Sequence, residues 1–229
     1  MSHVRSLWRF VCQASLVLRG LPKTLLFNIR YFGLRRSFGL PVVLSHRVKL
    51  LRLGGTVSIP PDARVCGIRL GFGQVGLFDK ARSRTLWENE GLVTFAGRAS
   101  VGHGTKLSVG PGAHLHLGNR FTVTAESAIR CGKHISFGDD CLLSWEVLII
   151  DQDFHSIATT DQVRTNPDAN IEIGKHVWIC CRNTILKGTI IGADSVLAAG
   201  SLIASKFPTT HQLLGGNPAR VLRRDISWS

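Results

Sequence analysis

The chain has 229 residues, with 28 Lys and Arg against 15 Asp and Glu, a formal net charge of +13 at pH 7. That length suits one domain with appendages, long enough to bury a continuous core, and 7% aromatics points to a core of aliphatic side chains. No apolar run is long enough to span a bilayer, and six cysteines without a Cys-x-x-Cys pair argue against a disulfide framework or zinc site and for a reducing cytoplasm.

Residues 1–52 hold ten of the basic side chains and no acid; the first carboxylate is Asp62. Here Leu7, Phe10, Val11, Ala14, Leu18 and Leu21 recur at spacings of one helix face, beside Arg5, Arg9 and Arg19, with Trp8 and Phe27 as interfacial aromatics. Two readings stay open for this arm: an amphipathic helix on an anionic membrane surface, or a helical cap over the first coil of the following domain. Arg9 and Arg19 bound a short apolar run without a clear cleavage site, so a cleaved signal peptide is not expected. Nucleic acid is not an expected partner, because the arm carries no recognition module.

A six-residue beat follows. Phe95, Val101 and Leu107 form an early, offset set; Leu117 and Val123 lead into a row of Ile129, Ile135, Cys141 and Val147, beside Cys131, Phe137, Leu143 and Ile149. A phase slip at 111–119 predicts a bulge or inserted turn. The beat resumes over Ile173, Ile179, Ile185, Ile191, Leu197 and Ile203. A period of six fits neither a helix at 3.6 nor a strand at 2. It fits a coil with three short flat faces, with Val177, Asn183, Thr189, Ser195 and Ser201 at the corners and Gly174 and Gly192 at turns. Repetition of this kind specifies a solenoid, in which each repeat buries its apolar face only against its neighbours. Residues 53–205 are the expected solenoid and 206–229 a C-terminal cap.

Between Ile149 and Ile173 the beat stops, and the polar segment 151–170 reads as a loop ejected from the coil, where function concentrates. It opens Asp151-Gln-Asp153-Phe-His155. An imidazole titrating near about pH 6.5 suits proton removal from an attacking hydroxyl or amine. Asp151 or Asp153 would orient its ring.

The run 171–180 (IEIGKHVWIC), the stretch 185–201 and the ending 216–223 (GNPARVLR) resemble the hexapeptide-repeat acyltransferases over residues 90–224, and more weakly over 53–90. The resemblance implies a left-handed parallel β-helix and acetyl transfer from acetyl-CoA to a sugar, amino sugar or amino acid. It also implies that His155 heads the loop as catalytic base; the Asp-x-Asp-Phe-His opening is similar to polysaccharide-modifying members. Trp178 would lie near the thioester, Ala199, Gly200 and Ser201 along the coenzyme groove, and Lys206 and Arg220 at the phosphates. The family's Thr-Lys-Asp is replaced by Ala204-Ser205-Lys206, which shifts the lysine one place and leaves Lys206 open as a surface charge. A homotrimer is implied on the same ground.

No metal is expected. A γ-carbonic anhydrase needs three converging imidazoles, and His134, His155 and His176 stand 21 residues apart where a coil predicts multiples of about eighteen. A β-helical scaffold recruited by its basic arm is the other alternative. The expected activity is O- or N-acetyl transfer to a saccharide in cell-surface polysaccharide assembly, by direct attack without an acyl-enzyme, since no cysteine lies in the loop. A basic arm would suit a lipid-linked acceptor at the inner membrane face.

Overall fold

The computed structural model describes residues 2–73 and 75–229, with side chains for residue 15 and from residue 17 onward. After a helical segment, Ser2–Ser37, kinked at Gly33 (φ 74°), the chain winds as a left-handed parallel β-helix with three faces. Face 1 runs from strand Val42–Leu44 to Ala219–Arg223, face 2 from Lys49–Arg52 to Leu202–Ile203, and face 3 from Thr56–Ser58 to Lys206–Phe207. The chain visits them in the order 1, 2, 3, and every strand pair is parallel except the last, Leu213–Gly216 with Ala219–Arg223.

The six-residue beat is one inward side chain per face. Ile173, Ile179 and Ile185 point inward on faces 3, 1 and 2, all nearly inaccessible to solvent, and their coil neighbours are Ile191, Leu197 and Ile203. Burying such a side chain contributes about 1.5–3 kcal/mol, and each is stacked between two like it, as Ile149 is between Ile129 and Ile185. At the corners, buried Asn183, Thr189 and Ser201 each donate to the carbonyl three residues back, at 2.8, 2.7 and 2.8 Å. Small polar residues recur there because each turn leaves a carbonyl that needs a donor. Gly174 and Gly192 are required by close approach of the next coil: a Cβ would stand 2.6 Å from Ala193 N and 2.3 Å from Thr209 O, respectively.

The coils are not uniform. Ile185 pairs with Ile203, eighteen residues on, whereas Ile129 pairs with Ile149 at twenty and Leu107 with Ile129 at twenty-two. The extra residues at the 110–113 corner account for the phase slip. The solenoid also exceeds its expected bounds of 53 and 205. Val42–Leu44 already pairs with Ile68–Phe72, and Lys206–Phe207 and Leu213–Gly216 still pair with strands of the preceding coil.

The helix takes the cap position. Thr24 and Asn28 bond the backbone of the first strand at Leu44 and Val42, and Lys23 Nζ reaches the carbonyls of His46 and Val48, both at 2.8 Å. Gly20 lies so close that a Cβ would meet Leu44 O at 2.0 Å. Phe27, expected at an interface, is instead fully buried, edge-on against Tyr31 and Trp87. The outer side remains apolar: Leu18, Leu25, Leu26, Ile29, Leu34 and Phe38 are exposed. Leu7, Phe10, Val11 and Ala14, with Arg5, Trp8 and Arg9, lie outside the described side chains. Among the described residues no helix is long and apolar enough to cross a membrane.

Candidate active site

The loop 151–170 leaves the solenoid at the corner between faces 2 and 3, after Leu148–Ile150 and before Ile171–Ile173. Asp151 is fully buried and accepts the backbone N–H groups of Gly132, Lys133 and His134 at 2.6, 2.9 and 2.8 Å. Its carboxylate is therefore spent on the neighbouring coil and is not placed to orient an imidazole, which corrects the expectation for Asp151. A carboxylate so enclosed is an anchor for the loop mouth. The three amides it occupies are also unavailable to a developing oxyanion.

Asp153 stands in a different setting. Its Oδ2 accepts from Lys187 Nζ at 2.5 Å and from Asn166 Nδ2 at 2.8 Å. The Lys187 ammonium, with Asn166, holds the Asp153 carboxyl below the usual carboxylate range. Asn166, buried beside the exposed stretch 153–165, also donates to His155 O at 2.9 Å and accepts from Ile157 N at 2.6 Å. Between Asp153 and His155 the chain makes a tight turn, His155 N to Asp153 O 2.7 Å, with Phe154 at φ 61°. That conformation is strained for an aromatic residue and is held by this clamp, with Arg130 over the Phe154 ring at 5.6 Å. The turn leaves the His155 side chain exposed, with no hydrogen bond to a described residue. Asp153 thus fixes the turn that carries His155 and makes no hydrogen bond to its ring.

The residues expected along the coenzyme lie elsewhere. Trp178 is on the outer surface of face 1, its Nε1 donating to Ser144 Oγ at 3.2 Å. Trp228, from the C-terminal tail, leans on it at 5.9 Å, stacks on His176 at 4.1 Å and donates to His176 O at 2.9 Å. Ala199, Gly200 and Ser201 form the last corner between faces 1 and 2. Gly200 is exposed at φ 71° with nothing within 4 Å of a Cβ, whereas Ser201 is buried and accepts from Gly216 N at 3.1 Å. Arg220 pairs with Gly215 in the terminal hairpin, beside that corner. Lys206 is exposed on face 3. One chain therefore gathers the 199–201 corner with Arg220, keeps Trp178 on the same face as the hairpin, and holds Lys206 and the His155 loop apart from them.

No family model matches the chain. It is 25% identical over 145 residues to the Escherichia coli K12 protein named "putative lipopolysaccharide biosynthesis O-acetyl transferase WbbJ", covering 59% of this chain and 74% of that protein. With the polysialic acid O-acetyltransferase of Escherichia coli O1:K1 it shares 29% identity over 120 residues, 52% of this chain but 39% of that one. The crystal structure of the polySia specific acetyltransferase NeuO matches with a TM-score of 0.53 at 21% identity, over 82% of this chain and 78% of the other. In sequence and in fold the chain is similar to the hexapeptide-repeat acyltransferases. Its relatives' names place it beside the polysaccharide O-acetyltransferases, although it spans well under two thirds of the polysialic acid enzyme.

The histidines considered as metal ligands do not converge. His134 lies against His114 with ring centroids 5.2 Å apart, His155 is on the loop, and His176 bonds Asp194 Oδ1 at 2.9 Å. Sequence reasoning missed Asn166 and Lys187. Nothing distinguishes Asn166 among the loop's polar residues. Lys187 carried a signal: Ile150 pairs with Leu186, so the next residue must stand beside the first residue of the loop.

Proposed function

We propose that the chain is an acetyl-CoA-dependent saccharide O-acetyltransferase with His155 as general base. The imidazole removes the acceptor hydroxyl proton as that oxygen attacks the thioester carbonyl. The new C–O bond forms, the C–S bond breaks, and the proton passes to the departing CoA sulfur. The observation that carries this reading is the exposed His155 side chain, with no hydrogen bond to a described residue, on a turn that Asn166, Asp153 and Lys187 hold in a strained conformation. Direct transfer fits the cysteines: burial pushes the Cys131 and Cys141 thiols up to about 12, far from a reactive thiolate.

Acetyl-CoA is the donor in this reading. Exposed Ala199 and Gly200 offer a flat corner for its pantetheine arm, with Arg220 beside it for a phosphate and Trp178 on the adjoining face near the thioester. Lys206, on another face, is left out of this set. Because His155 stands at a different corner, a complete site requires a second copy, with the loop of one chain meeting face 1 of its neighbour, and a homotrimer provides this. The helix's exposed leucines and Phe38, flanked by Arg19, Arg30, Arg35 and Arg36, suit the surface of an anionic bilayer and hence a lipid-linked acceptor.

The test is thiol release from acetyl-CoA across a panel of saccharide, nucleotide-sugar and lipid-linked acceptors, for wild type and His155→Ala. Turnover that falls by about 10²-fold or more in the variant supports the base. Undiminished turnover removes His155 from the chemistry, and an absence of both turnover and acetyl-CoA binding favours the scaffold alternative.

A further inference from the structure

Three corners between faces 3 and 1 stack into a cleft at the opposite end of the solenoid from the terminal hairpin. The corner at 59–67 is longer than those at 96–98 and 118–120 and overhangs them. The space beneath, about 330 Å³, is lined by Arg64, Arg98 and Arg120 together with Asp62. It continues over the outer surface of face 1 as a second space of about 500 Å³, past Arg69, Ser100 and Thr122.

Four guanidinium groups against one carboxylate leave a formal +3 on the walls, and +2 when Asp140, which pairs with Arg120, is counted. Arg64 and Arg98 form no ion pair with a described residue. The corner bearing Arg98 is fixed: its N–H donates to Asn119 Oδ1 at 3.0 Å, and Asn119 N donates to Asp139 Oδ1 at 2.7 Å. Gly97 permits this, since a Cβ there would stand 2.2 Å from Asn119 Oδ1. Crowded guanidinium groups on a rigid frame match oxyanions, which they bind through paired N–H donors.

The cleft also points somewhere. Arg69, Ser100, Thr122, Leu142 and Trp178 are successive register partners on the outer surface of face 1. At about 4.8 Å per strand, Trp178 stands roughly 10 Å beyond Thr122 and roughly 19 Å beyond Arg69, in one straight row.

We propose that the Arg64–Arg69–Arg98–Arg120 cleft is an oxyanion subsite for the acceptor. It holds a carboxylate or phosphate group of an acidic saccharide while the sugar chain runs along face 1 towards Trp178. The assignment of the ligand to the acceptor rests on the saccharide acetyltransferase reading. The anion site itself does not.

The experiment is calorimetric titration of wild type, Arg98→Ala, Arg64→Ala/Arg98→Ala and Arg98→Lys. The probes are an oligogalacturonate, its carboxyl-reduced neutral form, and inorganic pyrophosphate. Wild type is expected to bind an anionic probe at least about tenfold more tightly than the neutral glycan, less so as salt rises, with about tenfold or more lost in the double variant and less in Arg98→Lys. Preference for galacturonate assigns the site to an acidic sugar; preference for pyrophosphate assigns it to a phosphate-linked acceptor. Equal binding of acidic and neutral probes, or affinities unchanged in the variants, overturns the subsite. Displacement of the bound anion by CoA overturns its assignment to the acceptor. Should the double variant unfold, the exposed single substitutions of Arg98 carry the comparison. Anion binding without acetyl transfer would sink the transferase reading and leave the subsite, and transfer to neutral sugars without anion discrimination would do the reverse.

Discussion

Lys187 donates to the carbonyl of Asn166 at 2.9 Å across twenty-one residues of sequence, and the same ammonium holds Asp153. A side chain of the rigid coil thereby fixes both limbs of a loop that is otherwise exposed. Lys187→Met is expected to lower turnover by roughly 10–100-fold, because displacing a base by about 1 Å is enough to do so. The unfolding midpoint should move little, since partly exposed pairs contribute modestly. Steady-state kinetics beside a thermal scan checks both. A large fall in midpoint with unchanged turnover would contradict this assignment.

The same clamp has an acid limit. Asp153 titrates below its unfolded value of about 3.9, so its contribution is present above that pH and is lost as pH falls through the folded value. Cleavage within 151–170 by an acid-active protease should therefore rise below about pH 4 in wild type. In Lys187→Met, cleavage should already be elevated at neutral pH.

Asp151 serves stability. Asp151→Ala leaves three part-buried amides without their acceptor and is expected to cost about 2–4 kcal/mol, a fall of roughly 4–16 °C in a chain of this length. Asp151→Asn should cost less, since one oxygen remains. Differential scanning calorimetry of the two variants would separate them, and equal losses would mean that packing rather than hydrogen bonding dominates.

Histidines give the fold a second pH dependence. Desolvation by burial lowers the titration of His103, and of His46 and His114. Below about pH 6.5 the unfolded chain binds protons that the folded chain refuses, so stability falls with falling pH, by at most about 1.4 kcal/mol per pH unit for each group. The His103 Nε2 is buried without a partner among the described residues, while Nδ1 meets Ser83 Oγ at 2.9 Å. His103→Asn should flatten the midpoint-against-pH curve between about pH 5 and 6.5. An unchanged slope would place the effect elsewhere.

Trp228 shields Trp178. Trp228→Ala removes a ring stacked on His176 and should leave Trp178 more solvated, with a red shift in the remaining tryptophan emission. If Trp178 contacts the donor, KM for acetyl-CoA changes in Trp228→Ala while kcat for the saccharide changes less. A change confined to kcat would instead place Trp178 at the acceptor.

The later coils were legible because each face demands an inward aliphatic six residues after the last, which Ile173 to Ile203 supply at every step, and the corners take small residues, polar at all but Val177. The earlier coils were not. Leu44 pairs with Leu70 and Leu70 with Val101, separations of 26 and 31 that no short period can reveal. In the loop, the exposed histidine could be read from its position, but two neighbouring carboxylates could not be told apart. Burial under the 132–134 amides, set by coil register, makes Asp151 an anchor, whereas Lys187 makes Asp153 a clamp. Asn166 acts through Asp153, His155, Ile157 and Lys187, which only the folded loop brings within its reach.

A ladder of parallel strands is open at both ends, and an open end is a place where another copy can continue it. Here the first strand meets Thr24 and Asn28 of the helix, and face 1 turns antiparallel at Leu213–Gly216 and stops. With its lengthwise directions blocked, a molecule of this shape is protected from fibre growth. Contact between copies is then confined to the three side faces and their corners.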